Sequence, residues 1–194
     1  MKLTKAAFAA AASLSLLALG ACTAEETDAP ADMTTQEKGT ETVAALIGSS
    51  GDHAVLSREL GEAGLSAMLD SQASYTVFAP NDAVFNGIEG SDELLNNPEQ
   101  NAIVAAILRE HMVPGALTPE AIREAIAANN GKVTVRSFGE GDLQFSLDGD
   151  VIVVSGANGS TARMNAGALV GNNGVVIPLD GLLASAPSAE GQPS

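Results

Sequence analysis

Ten residues, Thr76-Val77-Phe78-Ala79-Pro80-Asn81-Asp82-Ala83-Val84-Phe85, constrain this chain more tightly than any other stretch. Tyr75 to Phe78 is β-branched and aromatic, the composition of a short buried strand. Pro80 bars continued pairing, and Asn81 or Asp82 can cap a helix that carries Val84 and Phe85. The local reading is strand, corner, helix. With 194 residues and 45% hydrophobic content, the chain has enough apolar surface for one domain of ordinary size plus appendages.

The appendages lie at the two ends. Met1, Lys2 and Lys5 form a basic start, and Ala6 to Leu19 is an apolar run too short for a comfortable membrane span. Leu19-Gly20-Ala21-Cys22 then resembles a bacterial lipobox, which makes residues 1–21 a lipoprotein signal peptide and Cys22 the lipidated first residue of the mature chain. The alternative is an ordinary secretory signal with an incidental Cys. The sole Cys of the chain stands where the apolar run ends, and no tidy small-x-small cleavage site competes with it, which favours lipidation. Several acyl chains on one residue hold a protein firmly at a bilayer. Thr23 after the Cys, rather than Asp, resembles lipoproteins exported to an outer membrane. Residues 22–39 are rich in Thr, Ala, Glu and Asp and read as an acidic flexible tether, and residues 185–194 as a frayed tail of Pro, Ser and Ala.

Removing the leader takes away Lys2 and Lys5, leaving 7 basic against 24 acidic residues, so the formal charge of −15 becomes −17. Such a surface repels phosphate and anionic headgroups, which argues against nucleic acid as a partner and leaves membrane attachment to the anchor.

Between the appendages the first half of the chain has helical period. Val43, Leu46 and Ile47 share a face before Gly48-Ser49-Ser50-Gly51; Asp52 can cap a second helix through Val55, Leu56 and Leu60, which Gly61 or Gly64 ends. Asn97-Pro98-Glu99-Gln100 starts a helix, with Gln100 reaching back, and Ile103, Val104, Ile107 and Leu108 predict that it lies in the core. Thr118-Pro119 starts another, stopped by Asn129-Asn130-Gly131. The C-terminal third alternates: Leu143, Phe145 and Leu147, a turn at Asp148-Gly149, Val151 to Val154, a turn at Asn158-Gly159, and a last strand Gly174-Val175-Val176-Ile177-Pro178-Leu179-Asp180. Pro178 predicts an edge strand, or one that loses a ladder bond near its end.

Four phrases resemble the fasciclin domain, a module of extracellular and cell-surface proteins. Thr76 to Phe85 resembles its first signature, with Thr76, Val77, Phe78, Ala79, Pro80, Asn81, Asp82 and Phe85 in register. Asn173, Gly174, Val175, Asp180 and Leu183 match its last, with Ile177 where His is usual and Pro178 where Val is usual. Glu110-His111-Met112-Val113-Pro114-Gly115 is similar to its Tyr-His segment, with Glu110 in place of the Tyr. His53-x-x-Leu56-x-x-x-Leu60-x-x-Ala63-Gly64-Leu65 resembles its opening helices, with His53 where an aromatic is usual. The resemblance covers residues 40–184. It implies an α+β fold with helices in the N-terminal half and a strand-rich C-terminal half forming a β-sheet wedge, the two signature strands lying close together in the core. The signature residues are expected to hold that fold rather than to bind.

Little here carries catalytic chemistry. His53 and His111 are the only imidazoles and lack metal-ligand spacing, so no metal or cofactor is expected. Asp148-Gly149-Asp150 could hold Ca²⁺ weakly, but a hairpin turn explains it fully, and Gly139-Glu140-Gly141 reads as a loop rather than a phosphate cradle. The resemblance implies a non-enzymatic adhesion module, lipid-anchored at the cell envelope and engaging an envelope or matrix protein or polysaccharide. Integrin-contact Asp-Ile pairs of animal members are absent, which leaves His111 as the interaction candidate. The alternative is a carrier of an apolar small molecule such as a carotenoid, which some fasciclin-like proteins hold; an exposed apolar stripe between the first helices and the sheet would support it.

Overall fold

The computed structural model describes residues 39–165 and 167–183. The signal peptide, Cys22, most of the tether and the C-terminal tail lie outside the described residues. Three short helices open the described part: α1 (Val43–Ser49), α2 (Ala54–Glu62) and α3 (Ser66–Leu69). Strand β1 (Tyr75–Pro80) leads straight into α4 (Asp82–Asn86), and α5 (Ser91–Leu95) follows. A 3₁₀ turn at Pro98–Gln100 starts α6 (Asn101–Glu110), which runs into β2 (Met112–Pro114) and then α7 (Pro119–Ala128). The rest is β3 (Lys132–Arg136), β4 (Asp142–Asp148), β5 (Val151–Ser155), β6 (Thr161–Arg163), β7 (Leu169–Gly171) and β8 (Gly174–Leu179).

The strands form two four-stranded sheets, β2-β1-β8-β7 and β3-β4-β5-β6. In the first, the two signature strands lie side by side and parallel, paired from Tyr75↔Gly174 to Pro80↔Leu179. All six residues of β1 are buried, because that sheet has cover on both faces. Tyr75, Val77, Ala79 and Val176 face the helices with Val43, Ile47, Leu56, Leu60 and Leu108. Phe78, Val175, Ile177 and Leu179 face the second sheet and α7, meeting Leu143, Phe145, Ile152, Val154, Ile122 and Ile126. Phe78 and Phe145 touch across this space, ring centroids 5.3 Å apart. The sheets join at two corners, where the Phe138 N–H donates to the Met112 carbonyl and Met164 bridges to Leu179.

The first signature works as two caps. Asn81 caps its own helix, its Oδ1 accepting from the Val84 N–H at 3.0 Å. Asp82 reaches instead to α2, accepting from the Ala54 and Val55 N–H groups at 3.2 and 2.9 Å. Asp52 therefore does not cap α2 as its position predicts; its carbonyl accepts from the Asp82 N–H and holds that distant cap in place. In the last signature, Asn173 uses its whole amide, accepting from the Val43 N–H and donating to the Leu69 and Ser71 carbonyls. A side chain on Gly174 would collide with the Tyr75 carbonyl, so β1 and β8 approach this closely only with Gly there.

Other expectations are corrected. Pro178 does not make β8 an edge: the strand lies between β1 and β7, and β7 pairs only as far as Val176, so the proline sits beyond the stretch it would have interrupted. The β4–β5 turn is Gly149-Asp150, one residue later than predicted, with Gly149 at φ 61° in the left-handed region. Asn97 caps as expected, but onto the 3₁₀ turn, and the Gln100 side chain makes no cap bond. The helix α6 is not wholly in the core: Val104, Ala105 and Leu108 are buried, whereas Ile103 and Ile107 are half-buried on another face.

Candidate functional site

That second face of α6 forms one wall of an extended, largely apolar groove. Ala102, Ile103, Ala106 and Ile107 recur at three- and four-residue spacing along it. Opposite stand Phe138 to Glu140, between β3 and β4, and Ala157 and Asn158, between β5 and β6; Leu183 lines it too. The groove encloses about 640 Å³. Phe138, one of two large apolar side chains that are exposed among the described residues, is 38% accessible at its rim. The sequence signal for this groove is an α6 with more apolar residues than the core can cover, a pattern that by itself predicts only burial.

The wall carrying Phe138 is fixed by a carboxylate. Glu110, at the end of α6, accepts at Oε1 from the Glu140 and Gly141 N–H groups at 2.8 and 3.0 Å, and at Oε2 from the Ser137 hydroxyl at 3.0 Å. A Cβ on Gly139 would run into this carboxylate, and one on Gly141 would lie 2.8 Å from both Glu110 Oε2 and Ala157 Cβ. Gly139-Glu140-Gly141 is a loop, as its sequence predicts, whose N–H groups hold the chain's own Glu110 carboxylate. Nothing in the sequence links Glu110 to a loop 30 residues later, so the pair is not legible from spacing.

His111 lies behind the groove. Its ring is 1% exposed, Nδ1–H donating to the Ile107 carbonyl at 2.9 Å and Nε2 accepting from the Leu183 N–H at 2.9 Å. Both neighbours line the groove, so the imidazole ties one wall to the other. Burial lowers its pKa to about 4, against the opposing pull of the Ile107 carbonyl and the Glu110 charge. Nε2 can accept only when neutral, and burial keeps it neutral. The ring therefore presents no surface to a partner, and its place is that of an internal strut.

The remaining singled-out residues pack or hydrogen-bond within the fold. Thr76 Oγ1 donates to the Gly115 carbonyl and accepts from the Leu117 N–H, both at 2.7 Å. Val77, Phe78, Ala79 and Val175 are at most 1% exposed and Phe85 is 6%. Asp180 accepts from the Arg163 N–H at 2.6 Å and anchors β6. His53 is buried at the start of α2; Nδ1 meets Ser50 Oγ at 2.8 Å, while Nε2 has no hydrogen-bond partner among the described residues. Among the described residues no three His, Cys, Asp or Glu side chains gather as a metal site would need, and no helix is long and apolar enough to cross a membrane.

The fasciclin domain model matches residues 51–185. The chain belongs to the fasciclin domain family. A structure of a FAS1 domain pair from the insect cell adhesion molecule Fasciclin I is similar in fold, with a TM-score of 0.66 at 16% identity over 76% of this chain and 52% of that one. The chain thus spans about half the length of that two-domain structure. No curated protein gives a significant match. Fasciclin domains occur in extracellular and cell-surface proteins and are generally adhesion and interaction modules, which fits a fold whose signature residues serve its own packing.

Proposed function

We propose that this fasciclin protein is a non-enzymatic adhesion module of the cell envelope, exported and lipid-anchored through Cys22, with residues 23–39 as its tether and an envelope or matrix partner. The observation that carries this reading is the α6 groove, an exposed apolar surface on the fold of an adhesion family. A groove with a half-buried Ile pair and an exposed Phe at its rim offers the anchor-and-rim arrangement on which interfaces form. In the full chain, Cys22→Ser should move the protein from the membrane fraction to the soluble fraction. Ile103→Asp should leave it membrane-bound and folded while abolishing adhesion of cells that display it. Adhesion unchanged by Ile103→Asp overturns the groove as the contact site.

The groove volume also favours a second reading, a carrier of an apolar small molecule such as a carotenoid, since about 640 Å³ lies within the range of ligand pockets. The stripe runs along α6 and the second sheet's loops rather than the first helices. A pigment or lipid that stays with the protein through purification in mild detergent, and is lost in Ile103→Asp, would establish the carrier.

A further inference from the structure

The second sheet has one face in the core and one in solvent. Register pairs Thr134 with Gln144, Gln144 with Ser155, and Ser155 with Thr161, so one straight row of hydroxyl and amide side chains crosses all four strands. These positions alternate with the buried Leu143, Phe145, Val154 and Ala162, which fixes the row on the outer face. Among the described residues none of the four side chains has a hydrogen-bond partner, whereas Thr76, Asn81, Ser137 and Asn173 are all engaged within the fold. Beside it runs a second row, Lys132, Ser146, Val153 and Arg163, with a shallow concavity of about 440 Å³ between Ser146, Val153, Thr161 and Arg163, where Asp148 and Asp180 stand beside the arginine.

Charge narrows the occupant. Three of the six basic residues in the described part, Lys132, Arg136 and Arg163, stand on this face, against eighteen carboxylates in the described part as a whole. Arg136 pairs with Asp142 at 3.6 Å and Arg163 with Asp148 at 2.6 Å. The face is therefore close to neutral on a chain that carries −15. Among the described residues Lys132 is the one cation of this face outside an ion pair, so an anionic polymer would meet a single available charge on a chain whose net charge repels it. A protein partner would find only Val151 and Val153 as apolar contacts, both part-buried.

We propose that this outer face is the docking platform for a strand of uncharged polysaccharide. Strands about 4.8 Å apart place the four side chains over about 14 Å, room for about three sugar rings. Each hydroxyl or amide both donates and accepts, as the hydroxyls of a sugar do. All of the described aromatic residues lie elsewhere, so the contact is hydrogen-bonded and weak per copy, and many tethered copies on one surface supply the avidity. The platform deepens the adhesion reading, which supplies the many copies, but it is separate from the α6 groove.

The test uses the purified full chain in mild detergent, with cellulose and cellohexaose as neutral probes and alginate as the anionic one. Expected are co-sedimentation with cellulose and amide shifts on cellohexaose titration at Thr134, Gln144, Ser155 and Thr161. The exposed-site pair Gln144→Ala and Thr134→Ala should weaken cellohexaose binding by about tenfold or more, with an unchanged circular dichroism spectrum. The groove variant Ile103→Asp should bind cellohexaose as the parent does. No shifts at millimolar cellohexaose, shifts centred on the groove, or retention by alginate alone would each overturn the platform. Cellohexaose binding on this face in a chain that mediates no adhesion would uphold the platform while removing the adhesion reading.

Discussion

His111 shows how one residue links burial, geometry and pH. Its ring holds Ile107 and Leu183 together only while neutral, and burial depresses its pKa to about 4 from an ordinary 6.5. The unfolded chain therefore takes up a proton at higher pH than the folded one. The stability contribution is fully present above about pH 6.5 and is lost as pH falls toward 4, on the order of 3 kcal/mol across the window at 1.36 kcal/mol per unit. Urea unfolding at pH 4.5 and pH 7 should show a smaller loss on acidification in His111→Gln than in the parent. Equal losses would mean that the carboxylates alone set the acid sensitivity. Asp82 makes a related point: a residue read as a candidate local cap serves a helix 27 and 28 residues earlier in the chain.

At the scale of elements, the groove depends on how α6 meets the β3–β4 loop. Glu110 is the fastening, and Gly139 is small because the carboxylate fills the space a side chain would need. Gly139→Ala should displace the carboxylate and destabilise the domain by about 1–3 kcal/mol, with faster hydrogen exchange at the Glu140 and Gly141 amides. Made in a Glu110→Ala background, the same substitution should cost much less, because the clash partner is gone. Additive costs would mean that Gly139 answers to the backbone rather than to Glu110. The helix itself was half legible. Its cap at Asn97-Pro98 and its four branched apolar residues are local facts, but periodicity reports which positions are apolar and not which of them another element covers.

Across the whole molecule, the paired signature strands separate two halves of the core, and Phe78 is the largest side chain of β1 on the strand-side half. It packs on Phe145 of the other sheet, so its loss should be felt in both. Phe78→Ala should reduce the unfolding free energy by about 3–5 kcal/mol, measured by urea titration in a single cooperative transition. A change too small to resolve would show that the sheets do not depend on this contact. The alternation of Val133 and Val135 with Lys132, Thr134 and Arg136 makes β3 readable as a strand, yet it went unread beside the stronger pattern of β4 and β5. The three-residue strands β2 and β7 carry too few residues to show a period.

By itself the sequence determined what short-range chemistry can determine. The strand, corner and helix at Thr76 to Phe85, the Thr118-Pro119 start of α7 and the existence of turns at Gly149 and Gly159, though not their central residues, follow from residues a few positions apart, where sterics and capping act. The order of its signature phrases was enough to name the family. Tertiary structure alone decided where each long-range partner lies: Asp82 on α2, Glu110 in the Gly139-Gly141 cradle, His111 between the groove walls, β8 inside its sheet despite Pro178. Those outcomes depend on which surfaces meet when the chain closes on itself. A side chain's polarity or apolarity sets what it needs, and only the packed fold supplies the partner or leaves the face open.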